Sequence, residues 1–425
     1  MPEKQKQKQK PRRKQAGTGD GTEAAVESRQ ADAGQDYETE GPGAEEKRSG
    51  DEKKAYVEEQ RRRESKATDV DRAFPAKYRL SGEMEGCSDA RKLELFERLV
   101  VTREFDARMR KLFRQGRFEG TFYSQIGQEA CDVVICWQME REDFVGPSHR
   151  DLGASTGKGI PLKALAAQVY NRVDSPDGGR YTACHYWHPD YGVMQPATSI
   201  AMNWVTATGA AFGFRMLKKK NVAVAFCGDG ATAHGDFHEA CNFAGVHNLP
   251  IVYIVQNNLW AESLPVALTT ALTDLSHRAD AFGFPGVSID GNDVVKVYNT
   301  TREALDRARR GDGPTLIEMK TYRWFGHSDI DPADYRSDEE VRQWMERDPL
   351  PRYEAYLRER GVLDVAGLTE IQQRVRAGIE EAIDFAEASA RPEPDGYFSH
   401  VYAEEYPGFE IEGRPAADGA AAEGR

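Results

Sequence analysis

Two short polar segments, Gly228-Asp229-Gly230 and Gln256-Asn257-Asn258, are the strongest candidates for a binding or catalytic site. A carboxylate, a side-chain amide oxygen and a backbone carbonyl are the kind of ligands that Mg²⁺ takes while it keeps substrate phosphates in its shell. The two glycines let the backbone turn sharply and approach a ligand closely. Taken alone, Gly-Asp-Gly is equally typical of an ordinary tight turn between a strand and a helix.

The elements around these segments are predicted to bring them together. Residues 222–227 and 249–255 are short, almost wholly apolar runs typical of strands covered on both faces, and residues 236–247 between them are predicted to be helical. Strand, turn, helix and strand in this order make a βαβ unit with parallel strands. Ligands bind beyond the carboxyl ends of such strands, which is where Asp229 and Asn258 would lie, close to the backbone N–H groups of the following helix.

The rest of the domain is also predicted to combine helices with short strands. We therefore expect an α/β protein with a mainly parallel sheet flanked by helices and a helical C-terminal portion. The further strands are expected at residues 287–289 and 315–319, and the further helices at 95–112, 129–137, 209–214, 294–309 and, with interruptions, 338–390.

A dinucleotide-binding site is the main rival interpretation of the glycine-rich turn. Residues 228–233 fit the G-x-G-x-x-A form of that fingerprint. That fold requires an Asp or Glu at the end of the next strand to hold the ribose hydroxyls. Here the next strand ends in Gln256-Asn257-Asn258, without an acid. The sequence therefore fails at the position that distinguishes this class of site.

Composition excludes several other classes of protein. The 57 Lys and Arg against 70 Asp and Glu give a net charge of −13, spread along the chain, whereas a nucleic-acid-binding protein would carry a concentrated basic face. No apolar stretch is long enough for a transmembrane helix, and no apolar region follows the basic N-terminus as in a signal peptide. The six cysteines form no C-x-x-C pair, so we expect neither a zinc framework nor disulfides. These features predict a cytoplasmic protein without nucleic-acid or membrane partners.

The N-terminal 70 residues are predicted to be a disordered charged extension. They contain no Leu, Ile, Phe or Trp, so they cannot bury enough apolar surface to offset the entropy of ordering. The folded domain is predicted at residues 71–407, followed by a flexible tail at 408–425. The first nineteen residues are strongly basic but lack the apolar spacing of a transit peptide. A solvated tail and a docking arm for an acidic partner both fit.

Beyond the two polar segments, several motifs give the sequence a specific likeness. Residues 92–407 resemble the α subunit of the E1 component of 2-oxo acid dehydrogenase complexes, a family whose fold binds thiamine diphosphate. The motifs that carry this resemblance, besides Gly-Asp-Gly and Asn-Asn, are Gly127-Gln128-Glu129-Ala130, His149-Arg150-Asp151, Asp290-Gly291-Asn292-Asp293-Val294, Thr321-Tyr322-Arg323, Gly326-His327-Ser328 and Tyr335-Arg336-Ser337.

The resemblance implies roles for individual residues. It makes Asp229 and Asn258 ligands of Mg²⁺, with the backbone carbonyl of Trp260. The other implied cofactor-binding residues are Gly228, Gly230 and Ala231 along the diphosphate, Arg150 neutralising it, His149 beside Arg150, Ile200 against the aminopyrimidine, and His327 as a catalytic residue near the diphosphate and the reactive thiazolium. His149 stands immediately before Arg150, where well-known relatives have a Tyr.

The resemblance also implies an activity and partners. A 2-oxo acid is oxidatively decarboxylated, and its acyl group passes to the lipoyl group of an E2 acyltransferase. A separate E1 β subunit supplies the glutamate that activates the cofactor, so an α₂β₂ heterotetramer is expected. Sequence details near residues 185–186, 290–299, 335–344 and 398–402 favour branched-chain 2-oxo acids. Pyruvate dehydrogenase and acetoin dehydrogenase remain alternatives, and a non-catalytic, cofactor-binding regulatory subunit is the alternative from another class.

Deletion of residues 1–70 is expected to leave the melting temperature and the decarboxylation activity nearly unchanged, because no core-forming side chain is removed. Thermal unfolding and activity assays of the truncated and full-length chains test this. A large fall in melting temperature would show that the extension packs on the domain, and a selective loss of activity in the larger complex would favour the docking arm.

Four further features have an ordinary structural interpretation. Residues 198–203 keep little of a family segment that binds K⁺, so we do not predict that ion. Ser328 coincides with a regulatory phosphorylation position of mitochondrial relatives, but an ordinary loop serine is favoured. His234 and His238 lack a third metal ligand and are interpreted as a surface pair. His185 is either a packed histidine or a residue near the active-site channel.

Overall fold

The computed structural model describes residues 78–181 and 183–394. The extension predicted at 1–70 and the tail predicted at 408–425 lie outside the described residues, as do both ends of the domain predicted at 71–407. No helix in the described part of the chain combines the length and apolarity needed to cross a membrane.

Helices and short parallel strands alternate along most of the described chain. Their bounds are α1 (Asp89–Arg114), α2 (Ala130–Gln138), β1 (Phe144–Gly146), α3 (Leu152–Gly157), α4 (Leu162–Val169), α5 (Met202–Met216), β2 (Ala223–Gly228), α6 (Gly235–His247), β3 (Ile251–Asn257), β4 (Trp260–Ala261), β5 (Leu264–Pro265), β6 (Gly286–Asp290), α7 (Val294–Arg310), β7 (Thr315–Lys320), α8 (Asp338–Met345), α9 (Pro349–Glu359) and α10 (Val365–Ala388).

Five of the strands form one sheet in the order β1-β2-β3-β7-β6, and every neighbouring pair is parallel. The short strands β4 and β5 form a separate antiparallel hairpin. The predicted βαβ unit is confirmed, because β2 and β3 are parallel neighbours and α6 connects them. The α/β class and the helical C-terminal portion, α8 to α10, are also confirmed.

Both faces of the sheet are covered by helices, which explains the continuous apolar runs. Successive side chains of a strand point to opposite faces. Val224 and Phe226 of β2 join a core cluster formed mainly with α1, α2, α7 and α10. Ala223 and Ala225 join a second cluster with α5 and α6. A strand buried on both sides is apolar at nearly every position, and this pattern made β2 and β3 recognisable in the sequence.

The elements that the sequence analysis missed are short or lack a periodic pattern. Strand β1 has three residues, β4 and β5 have two each, and helix α3 is a six-residue segment rich in Gly, Ala, Ser and Thr. Helix α4 has eight residues and follows directly after Pro161. Other bounds shifted: α5 begins at Met202 rather than at residue 209, and α1 begins at Asp89, where the Ser88 hydroxyl accepts a hydrogen bond from the N–H of Arg91.

Candidate functional site

The predicted site lies where β2 and β3 end. In the parallel register Gly228 pairs with Gln256, so Asp229 and Asn258 leave adjacent strands at the same edge of the sheet. The expectation that these two strands would deliver both residues to one edge is confirmed. This edge is the usual ligand-binding position of a parallel sheet.

Asp229 is a buried carboxylate with one unpaired oxygen. Its side chain is almost fully buried, at 2% exposure, and its Oδ2 atom has no hydrogen-bond partner. Burial raises the pKa of this carboxyl to about 6, while the N–H groups of residues 229 and 258 oppose the rise. Buried polar atoms are nearly always paired, so an unpaired carboxylate oxygen at a ligand-binding edge is suited to a cation.

The other possible oxygen ligands come from the segment that follows β3. Asn258 is 8% exposed, and its Oδ1 accepts a hydrogen bond from the N–H of Trp260 at 3.3 Å. Between them Leu259 adopts the left-handed conformation, with φ of +71°. For a residue other than glycine this conformation costs about 1–3 kcal/mol and is characteristic of functional sites.

The set of donors at this edge suits a hard cation. The described residues contain no group of three His, Cys, Asp or Glu side chains arranged to hold a metal. A metal at the β2–β3 edge would therefore depend on one carboxylate together with amide and carbonyl oxygens. That set matches Mg²⁺, which tolerates few protein ligands when phosphate oxygens complete its shell.

The two glycines of the turn do different things. A Cβ at Gly230 would lie 2.5 Å from the Cβ of Ala261, so the missing side chain is what allows the β4–β5 hairpin to pack against the turn. A Cβ at Gly228 would meet nothing within 4 Å, so there is open space beside the backbone at the end of β2. Ala231 is buried, at 8% exposure.

One expectation about this turn is corrected. A 3₁₀ turn, Asp229–Ala233, follows β2, and α6 begins only at Gly235. The N–H of Asp236, in the first turn of α6, is already bonded to the Nδ1 atom of His234 at 3.3 Å. The backbone N–H groups nearest the strand edge therefore belong to the 3₁₀ turn rather than to the following α-helix.

Arg150 carries a buried positive charge without a carboxylate partner among the described residues. Its side chain donates to two backbone carbonyls, that of Ser124 at 2.8 Å and that of His327. Burial, followed by the charge of Arg323, lowers its pKa to about 10. A buried cation with only carbonyl partners creates a favourable position for an anion, and a guanidinium can bind two phosphate oxygens at once.

Three aromatic rings cluster beside Arg150. The ring centroids of Tyr123 and His149 lie 4.6 Å apart, those of Tyr123 and His327 5.4 Å, and those of His149 and His327 5.5 Å. Tyr123 was not among the predicted residues. The available signal was its position in a glycine-bounded loop, residues 120–127, but loop position alone does not distinguish it from neighbouring polar residues.

Both histidines of this cluster are uncharged at neutral pH. Burial, followed by the charge of Arg150, lowers the pKa of His149 well below its usual value. Burial, followed by the charges of Arg150 and Arg323, lowers the pKa of His327 to about 4. A neutral imidazole can accept a proton or donate one, which suits His327 for proton handling near a bound substrate.

The loop after β7 holds His327 in place. Arg336 donates to the carbonyls of Arg323 and Phe325, both at 2.6 Å, and to that of Trp324. Asp331 accepts hydrogen bonds from the N–H of His327 at 2.5 Å and from the Tyr335 hydroxyl at 2.7 Å. The sequence analysis used the Tyr-Arg-Ser motif for the family resemblance and the substrate preference, but assigned these residues no contacts. Their contacts show that they order the loop.

The imidazole of His327 is expected not to titrate between pH 5.5 and 8, because its pKa lies near 4. NMR spectra of the cofactor-free chain with labelled histidine, recorded across this range, test the prediction. The signal is assigned by its loss in His327→Gln. A titration midpoint near 6.5 would contradict the burial and charge environment described above.

Three further residues from the sequence analysis have a defined position in the structure. Ile200 is 52% exposed and precedes α5, so its place beside a cofactor stays a prediction. His185 is buried, packs against Tyr181 at 4.8 Å and contacts the Ala183 carbonyl, which fits the packed interpretation. His234 caps α6 with its side chain half exposed, which fits a surface role.

Comparison with known proteins covers the sheet, this site and the helical C-terminal part. A family described as "Dehydrogenase E1 component" matches residues 97–395. The chain is 36% identical over 321 residues to the 2-oxoisovalerate dehydrogenase subunit alpha of Bacillus subtilis, an alignment that covers 75% of this chain and 97% of that protein.

Two further relatives are named for 3-methyl-2-oxobutanoate, which is another name for 2-oxoisovalerate, and for pyruvate. The chain is 38% identical over 335 residues to the 3-methyl-2-oxobutanoate dehydrogenase subunit alpha of Mycobacterium tuberculosis, covering 75% of this chain and 84% of the relative. It is 35% identical over 302 residues to the pyruvate dehydrogenase E1 component subunit alpha of Staphylococcus aureus, covering 71% and 79%. The alignments span most of each relative's length.

Proposed function

Since this chain belongs to the dehydrogenase E1 component family, as an α subunit of a 2-oxo acid dehydrogenase, we propose that its β2–β3 edge binds thiamine diphosphate together with Mg²⁺. The observation that carries the proposal is the buried, unpartnered Oδ2 of Asp229 beside Asn258. Titration of the purified enzyme with thiamine diphosphate, with and without Mg²⁺, tests it. Binding that is independent of the metal would contradict the proposed ligand set.

Each group at this edge has a distinct part in holding the cofactor. Asp229, Asn258 and the carbonyl of Trp260 hold Mg²⁺. Arg150 neutralises the diphosphate, because its guanidinium is buried without a carboxylate partner in the described chain. The open backbone at Gly228, with Gly230 and Ala231 in the 3₁₀ turn, lines the same diphosphate.

The bound cofactor supplies an electron-accepting ring for decarboxylation of a 2-oxo acid. This chain positions the reacting groups around it. His327 is held by the N–H contact to Asp331 and stays neutral, so its imidazole can move a proton at the reacting carbonyl. Tyr123 and His149 pack against that imidazole and cover part of its surface. The neutral His327 favours a catalytic subunit over a non-catalytic, cofactor-binding one, because binding the cofactor alone requires no group that moves a proton.

A β subunit is proposed to complete the site. The relatives are named as alpha subunits or E1 components, which are parts of larger enzymes. Helices α5 and α6 leave apolar side chains uncovered in this chain, together with the residue that precedes α5. The exposed members are Ile200, Met202, Val205, Phe243 and Val246. Apolar surface of this kind marks protein interfaces, so we assign it to the β subunit of an α₂β₂ assembly. A lipoylated E2 component would then accept the acyl group.

Branched-chain 2-oxo acids are the proposed substrates, with pyruvate and acetoin as alternatives. The assembled enzyme is expected to have a higher kcat/KM for 3-methyl-2-oxobutanoate than for pyruvate. An apolar pocket gains only about 1–3 kcal/mol for each added methylene, so we expect overlapping activities rather than exclusion. Steady-state assays with both acids under identical conditions test the order. The reverse order would replace the substrate and leave the family assignment unchanged.

A further inference from the structure

Glu318 is a buried carboxylate to which the proposed function gives no role. It lies in β7, beside Val255 of β3, and its side chain has no exposed surface. Its Oε1 accepts a hydrogen bond from the side-chain Nδ2 of Asn257 at 2.7 Å, and its Oε2 accepts one from the backbone N–H of Ser276 at 3.1 Å. Both acceptor atoms are therefore directed at donors, as a buried carboxylate requires.

Asn257 is the residue through which Glu318 reaches the metal-binding segment. Its amide has one donating end and one accepting end. The donating end faces Glu318, and Oδ1 at the other end accepts the backbone N–H of Leu259 at 3.2 Å. The backbone carbonyl of Asn257 also accepts a hydrogen bond from the N–H of Thr321 at 2.9 Å, which fixes its position. Since Glu318 can only accept, it determines which way the amide of Asn257 points.

Leu259 is held in a conformation that it would rarely adopt on its own. Its N–H is bonded to Asn257 and its carbonyl accepts the N–H of Val266 at 2.8 Å, while its φ is +71°. This left-handed residue stands directly between Asn258 and Trp260. Its conformation therefore sets the direction of the Asn258 side chain relative to the Trp260 carbonyl.

We propose that Glu318 is a positioning residue for the metal site, acting through the Asn257 amide and the left-handed Leu259 on the Asn258 and Trp260 ligands. This inference rests on the proposed function, because the ligands belong to that site. Glu318 does not touch the metal. Its contribution is to keep two oxygen ligands oriented in a segment whose backbone conformation is unfavourable.

The variant Glu318→Gln tests the orientation. The two groups that face residue 318, the Asn257 amide and the backbone N–H of Ser276, both donate. A glutamine has one accepting atom, and the backbone N–H cannot become an acceptor. Asn257 must therefore rotate its amide by about half a turn to remain paired. The Nδ2 group would then face the N–H of Leu259, and the left-handed residue would lose its support. We expect Mg²⁺ affinity, measured at saturating thiamine diphosphate on the assembled α/β enzyme, to fall by about 10- to 100-fold.

The double variant Asn257→Asp with Glu318→Gln is the decisive control. The carboxylate introduced at position 257 would accept from the amide introduced at position 318 and from the N–H of Leu259. The oxygen of that new amide would accept from the N–H of Ser276, so all three hydrogen bonds return with the same total charge. We expect the double variant to recover most of the lost affinity.

A spectroscopic readout and a matched substitution complete the test. The electron paramagnetic resonance spectrum of bound Mn²⁺ should change in Glu318→Gln and return towards wild type in the double variant. Glu354→Gln, at a half-buried residue of α9 paired with Arg358, should change neither the Mg²⁺ affinity nor the Mn²⁺ spectrum.

The outcomes separate this inference from the proposed function. A wild-type enzyme that binds no thiamine diphosphate would overturn the proposed function itself. Wild-type binding with unchanged Mg²⁺ affinity in Glu318→Gln, or a double variant as weak as the single one, would overturn the positioning role alone. If Glu318→Gln does not fold, the double variant decides alone: wild-type Mg²⁺ affinity supports the role and a large loss refutes it.

Discussion

Asp229→Ala is expected to abolish Mg²⁺-dependent binding of thiamine diphosphate while the protein stays folded. The proposed site contains one carboxylate, so the variant removes the only formal negative charge that this chain is proposed to offer the metal. We expect affinity to fall by more than about 100-fold, the upper end of what losing a supporting residue costs. Calorimetric titration of the assembled enzyme with cofactor and Mg²⁺ measures the change.

The same variant is expected to raise the stability of the cofactor-free protein above about pH 6. Burial raises the pKa of Asp229 from 3.8 to about 6, so the folded state holds its proton more tightly than the unfolded state does. The cost of keeping this carboxyl ionised is absent below about pH 4 and complete above about pH 6, and it amounts to about 3 kcal/mol. Thermal unfolding at acid pH, near 4, and at pH 8 should show the stabilisation by Asp229→Ala only at the higher pH.

A matched variant separates the metal site from general effects. Asp236→Ala removes a carboxylate from the first turn of α6, close in sequence but partly exposed and directed towards His234. It should leave cofactor affinity unchanged. Unchanged affinity in Asp229→Ala would show that the β2–β3 edge is not the metal site.

Decarboxylation is expected to be undetectable with the isolated chain and to appear when a β subunit is added. The groups described here are proposed to hold the diphosphate and the metal, but the sequence contains no identifiable match to the family's activating glutamate. Ile200, expected to support the aminopyrimidine, is half exposed in this chain. Assays of the highly purified chain with an artificial electron acceptor, alone and with the β subunit, measure the effect.

Size-exclusion chromatography with mass determination supplies the control for assembly. The active fraction should have the mass of an α₂β₂ heterotetramer, and the Asp229→Ala chain should form the same assembly without activity. Robust decarboxylation of a 2-oxo acid by the chain alone would refute the proposed division of the site between two subunits.

The sequence alone predicted the part of the fold that depends on neighbouring residues. Strands β2 and β3 were recognisable because a strand covered on both faces is apolar at nearly every position. The residues that end those strands then placed Asp229 and Asn258 at one edge. The family resemblance added Arg150 and His327, which the structure brings within contact of each other through the His327 carbonyl. Short elements without a pattern, such as β1 and α3, were not predictable in this way.

Features that depend on distant packing appeared only in the tertiary structure. The unpaired Oδ2 of Asp229, the carbonyl-only hydrogen bonds of Arg150 within the described chain and the ring cluster around Tyr123 each depend on which elements are adjacent. The contact between Glu318 and Asn257 joins residues 61 positions apart. Local sequence determines periodicity, turns and strand ends, because these depend on a residue and its near neighbours. Burial and hydrogen-bond partners, by contrast, are decided by long-range packing. The lowered pKa values of the two histidines and the absence of an ion-pair partner for Asp229 and Arg150 within the described chain therefore follow from the tertiary structure.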